Sequence, residues 1–131
     1  MDDAKQIAIA RWLAKAENDL TAARTLLETD PPITDIACFH AQQCAEKALK
    51  AFLVLADIHV EKTHYLPRLV ELCFRADPSF QNLKDAASEL TDYAVASRYP
   101  DEWRDIPCAE AIEAVRLTEI ILNFVQGKVC T

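Results

Sequence analysis

The chain has 131 residues, 51% of them apolar, enough for a single domain (1–131) to bury a core without metals or disulfides. It contains one glycine, Gly127, which argues against Gly-rich phosphate loops, tight hairpins and Rossmann turns and leaves an all-helical chain as the expectation. A net charge of −7 excludes broad duplex-DNA binding and a broad footprint for anionic lipid, while allowing a local basic site.

Along the chain, Ile9, Leu13, Ala16, Leu20, Ala23 and Leu27 alternate steps of four and three, which predicts an amphipathic helix over roughly 4–29. Asp30-Pro31-Pro32 ends it. Thr34 is the expected N-cap of a second helix, with Asp35 at its positive end, running to about Ala56. Thr63 is the expected cap of a shorter third helix through about Arg75, where Pro67 falls in the tolerant first turn. Asp77-Pro78 restarts the chain, and Phe80, Leu83, Ala87, Leu90 and Ala94 lie on one stripe of a fourth helix. The last helix is expected from near Pro107, with Gly127 as its C′ residue. Four long helices plus one short helix, joined by short connections, predict an all-α up-and-down bundle.

Five cysteines (38, 44, 73, 108, 130) form no C-x-x-C pair, so neither a disulfide framework nor a zinc ribbon is supported, and a reducing cytoplasm is the simplest location. No run of 18 uncharged apolar residues occurs, and the start of the chain has no export signal, so a soluble protein with no membrane partner is expected. His40, His59 and His64 have no partner at metal-ligand spacing, so no metal, cofactor or catalytic residue is assigned.

The second helix is the most informative. At about 100° per residue, Phe39-His-Ala-Gln-Gln-Cys-Ala-Glu-Lys-Ala-Leu-Lys50 places His40, Gln42, Gln43, Glu46, Lys47 and Lys50 on one sector. Ala37, Ala41, Cys44, Ala45, Ala48, Leu49 and Phe52 occupy the other, where small side chains admit a close neighbour. His40, Gln43 and Lys47 form a row suited to a phosphate or base edge. Glu46 and Lys50 stand in the favourable i, i+4 order and can instead steady a solvated face. Phe39, Leu53 and Val54 project toward the polar sector, which favours a subunit or partner interface over a solvated face.

A second patch, Arg98-Tyr99-Pro100-Asp101-Glu102-Trp103-Arg104, combines a guanidinium able to fork onto phosphate with rings able to stack a base. The same residues also suit a helix cap, with Arg98 on the preceding carbonyls and Asp101, and Tyr99 and Trp103 covering the bundle's end. Residue chemistry leaves the two readings level.

With Asp19-Leu20, the Phe39–Lys50 segment, His64 with Leu66, and Arg98-Tyr99-Pro100-Asp101 in this order and spacing, the sequence resembles the HEPN domain family along nearly its whole length. The resemblance implies a helical bundle, usually a homodimer, often paired with a minimal nucleotidyltransferase in toxin–antitoxin systems. Many relatives are metal-independent ribonucleases with an Arg followed after four to six residues by His. Here the positions that Arg98 would require hold Trp103, Arg104 and Asp105, and no histidine follows His64. The resemblance therefore implies a nucleotide-, RNA- or partner-binding module without that motif, with His40, Gln43, Lys47 and Arg98 as ligand contacts; Tyr99 and Asp101, beside Arg98, are further ligand candidates. The alternatives are a diverged endoribonuclease using Arg98 with His40 or His64, and a purely structural dimerisation module.

Overall fold

The computed structural model describes residues 2–96, 100 and 104–130; Arg98, Tyr99, Asp101 and Trp103 lie outside the described residues. Every regular element among them is helical. Helix α1 spans Asp3–Glu28 and begins where the Asp2 carboxylate accepts the Lys5 amide at 2.7 Å. Helix α2, Thr34–Leu55, lacks the expected side-chain cap. The Thr34 hydroxyl donates instead to the Ile106 carbonyl at 2.7 Å, tying the start of α2 to the chain entering the last helix.

At its other end α2 stops in a Schellman arrangement, with the Asp57 amide donating to Val54 and the Ile58 amide to Leu53. Asp57 takes the left-handed conformation, φ 59°, that usually calls for glycine. Asp57→Gly should therefore leave stability level or raise it by up to about 1 kcal/mol, because the exposed Lys5–Asp57 ion pair contributes little. Asp57→Val should lower it by about 1–2 kcal/mol. Urea midpoints of the two variants check this, and equal midpoints would contradict it.

The chain then doubles back. Asp57 lies beside Lys5 near the start of α1, whereas His64 has returned to Glu46 and Gln42, some three turns up α2. Helix α3, Leu66–Ala76, descends from there. Thr63 does not cap it; its hydroxyl accepts the Tyr65 amide at 3.1 Å in the turn before.

The fourth expected helix is segmented: a 3₁₀ turn at Pro78–Leu83 leads into α4, Lys84–Leu90, and the single-turn α5, Tyr93–Ala96. Asp77 opens this run by accepting both the amide and hydroxyl of Ser79, with Lys128 beside it at 2.9 Å. These contacts, the Ser79 hydroxyl first, hold the Asp77 carboxyl down to about 2. Helix α6 runs Cys108–Val129, so Gly127 is an interior helical residue rather than the C′ residue; a Cβ there would meet nothing within 4 Å.

Helix α2 packs against α1, α6, α3, α4 and α5 and is enclosed on most sides. Its alanines 37, 41, 45, 48 and 51 are fully buried, which allows that crowding. Phe80 fills the lower core, 4.3 Å from the Phe52 ring centroid and 5.0 Å from that of Phe124. Pairs Arg24–Glu119 and Gln126–Glu17 run in opposite sequence directions, so α1 and α6 are antiparallel. No helix of the described residues is long and apolar enough to cross a membrane.

Candidate functional site

Enclosure of α2 changes the character of its polar sector. Gln42, Glu46 and Lys50 are buried, and so is Asp19 of α1, which sits among Ala16, Leu20 and Ala23 on the core side. A buried carboxylate needs cationic or hydrogen-bonding partners to remain charged at tolerable cost. Each of the two carboxylates has a lysine and an imidazole.

Asp19 accepts from Lys47 Nζ at 2.5 Å through one oxygen and pairs with His40 Nδ1 at 2.8 Å through the other. Glu46 accepts from Lys50 Nζ at 3.0 Å and pairs with His64 Nδ1 at 2.8 Å. An ionised carboxylate is acceptor-only, so each ring donates from Nδ1. Among the described residues, Nε2 of either ring then has no hydrogen-bond partner. The His40 side chain is 30% exposed and that of His64 62%, so both can be reached from solvent.

Amides complete the second cluster. Gln42 Nε2 donates to the His64 carbonyl at 2.9 Å, and Gln43 Nε2 donates to Gln42 Oε1 at 2.7 Å. Of the expected ligand contacts, the structure thus gathers His40 and Lys47 on Asp19, and links Gln43 to the neighbouring Glu46 cluster. Lys50 also approaches the Trp12 ring, 5.7 Å from its centroid.

The expected apolar patch divides. Leu53 is fully buried, so it belongs to the chain's own core and is unavailable to a partner. On the same sector the returning connector brings His64 against Gln42 and Glu46. Phe39 and Val54 remain half-buried, with Phe39 edge-on to the His40 ring at 5.5 Å.

Residues flanking the Arg98 segment meet at Glu110, in the first turn of α6. Tyr93 donates to it at 2.5 Å from before the segment, and Arg104 forks onto both its oxygens from after. The Arg104 and Tyr93 hydrogen bonds hold the Glu110 carboxyl low, while burial, with the Glu110 bond next, pushes the Tyr93 phenol high. Composition and helical period do not reveal this junction, whose partners lie 6 and 17 residues from Glu110 in sequence.

Cys38 faces the same junction, and burial pushes its thiol up to about 12. Cys44 and Cys73 are raised to about 11 and about 12 for the same reason, so none of the three is a nucleophile near neutral pH. Two residues after Cys38, a rotation of about 200° turns His40 to the other side of α2. His64 lies nearer the flank, because Thr91 Oγ1 accepts the Leu66 amide at 2.9 Å and donates to the His64 carbonyl at 3.4 Å. Among the described residues no group of three His, Cys, Asp or Glu side chains could hold a metal.

An all-helical bundle whose second helix carries these paired clusters defines the class. The sequence model of the HEPN domain matches residues 9–128, and the chain belongs to the HEPN domain family. Its relatives include "Putative toxin MJ1304" of Methanocaldococcus jannaschii, 31% identical over 100 residues. That match takes in 70% of this chain and 63% of the relative, so it spans less than two thirds of the relative's length. The fold is similar to the crystal structure of TT1696 from Thermus thermophilus, with a TM-score of 0.73 and 34% identity over 92% of this chain and 97% of that one. It is also similar to ST0689, an archaeal HEPN homologue, with a TM-score of 0.72, 29% identity and the same coverages.

Proposed function

We propose that this chain is the HEPN component of a toxin–antitoxin-like pair, acting as a homodimer that binds a nucleotide or RNA beside a minimal nucleotidyltransferase, without catalysis of its own. The observation that carries the reading is the pair of buried carboxylates, each fixing one imidazole through Nδ1 and one lysine ammonium. Such anchoring sets ring orientation before a ligand arrives and leaves Nε2 to accept from a base edge or, in the imidazolium form, to donate to a phosphate oxygen. Similarity to a protein named as a toxin supports the paired-system part. Arg98, Tyr99 and Asp101 join the proposal through the sequence.

Calorimetric titration with ATP and with short RNA tests it. Wild type should bind one of them saturably, and both Arg98→Ala and the double variant His40→Ala/Lys47→Ala should weaken that binding by about tenfold or more. Absence of saturable binding by wild type would overturn the proposal.

One contact favours a second reading, a ribonuclease in which His64 serves as base. Thr91 ties the His64 backbone to the segment leading toward Arg98, whereas His40 faces the other side of α2. RNA cleavage lost in His64→Ala and retained in His40→Ala would establish it. Intact RNA after prolonged incubation with wild type would remove it.

A further inference from the structure

Charge is unevenly distributed along α1. Residues 4–16 contain Lys5, Arg11 and Lys15 and no carboxylate, in a chain whose net charge is −7. Lys5 is used by Asp57. Arg11 and Lys15 are exposed, stand one turn apart, and have no hydrogen bond or ion pair among the described residues. Most other described cations are paired, including Arg24, Arg68, Arg75, Arg104 and Arg116.

Arg11 and Lys15 border a recess of about 250 Å³ lined by Ala8, Arg11, Trp12 and Lys15. Trp12 is half-buried and gives the recess an aromatic wall, while Ala8 leaves it open. Lys50, whose charge Glu46 balances, lies 5.7 Å from the indole centroid. Lys15 is three residues from Trp12 and four from Asp19, on the side of α1 that meets the His40 and Lys47 cluster.

We infer that this face of α1 is a second site, taking a single-stranded nucleic acid, with one base against Trp12 and neighbouring phosphates on Arg11 and Lys15. Cations one helical turn apart suit successive phosphates, and an indole accepts any base through its π-face. An acidic peptide would satisfy the cations but would leave the aromatic wall without a flat partner. The inference rests on the nucleic-acid reading above for its class of ligand, and uses different residues.

Fluorescence anisotropy of an end-labelled oligouridylate of about ten nucleotides tests it, a site of the length such surfaces cover. Arg11→Glu/Lys15→Glu should weaken binding by about tenfold or more, and flatten the plot of log affinity against log salt by about 1.4, two phosphates at about 0.7 each. Trp12→Phe, which retains a ring, should weaken it by about threefold with the far-ultraviolet dichroism unchanged. Unlabelled poly-glutamate of equal charge should compete poorly. If wild type binds, His40→Ala/Lys47→Ala weakens binding and Arg11→Glu/Lys15→Glu does not, the α1 site is overturned and the earlier reading stands. The reverse pattern supports the α1 site and overturns RNA binding at the His40 and Lys47 site. Equal competition by poly-glutamate overturns the nucleic-acid assignment, and no binding by wild type overturns the α1 site, while the earlier reading then stands or falls on its ATP titration.

Discussion

Replacing Glu46 with alanine is expected to destabilise the protein by about 3–5 kcal/mol, because Lys50 would then be a buried ammonium without its counter-charge. The Glu46 and Lys50 side chains are only 5% and 7% exposed, so water cannot take over the lost interaction. His64 Nδ1 would lose its acceptor in the same step. Glu46→Met/Lys50→Met should recover most of the loss, since removing both charges also removes the desolvation penalty. Urea denaturation of the single and double variants decides the matter. A double variant as unstable as the single one would show that the pair itself is not the source of the cost.

Leu53→Asp is expected to prevent folding, at a cost of more than about 4 kcal/mol, because it buries a charge where Leu53 is fully enclosed. Val54→Asp, at a half-buried neighbour, should cost about 1 kcal/mol or less. Thermal melts followed by circular dichroism separate these outcomes, and light scattering then reads any change in association for Val54→Asp. A folded, monomeric Leu53→Asp protein would contradict the placement of Leu53 in the core and restore it to an interface.

Leu53 also shows how far the sequence could be read. Helical period correctly assigns Leu53 and Glu46 to the polar side of α2. What period does not carry is the path of the chain after α2, which returns to set His64 against Gln42 and Glu46 on that side. The same blindness makes the fourth helix look continuous: Phe80, Leu83, Ala87 and Leu90 all face the core, although a 3₁₀ turn precedes α4. Burial follows tertiary contact, and contact is what one-dimensional spacing omits.

The candidate site was legible in its residue types more than in its pairings. His40 and Lys47 were apparent as a row, but the carboxylate that joins them belongs to α1, 21 and 28 residues away in sequence. A signal existed: Asp19 interrupts the core stripe of α1 beside Leu20, and a charge in that position needs partners. The Glu110 junction offered no such signal, because Tyr93 and Arg104 are ordinary surface residues until α6 is placed beside them.

Whether the anchored His40 imidazole receives a ligand is decided by nitrogen-15 NMR of the imidazoles during titration with ATP or short RNA. His40 Nε2 should shift with the same saturation midpoint as ligand binding, while Nδ1 stays bonded to Asp19. Saturable binding with no change at His40 Nε2 would contradict the proposed role of this cluster.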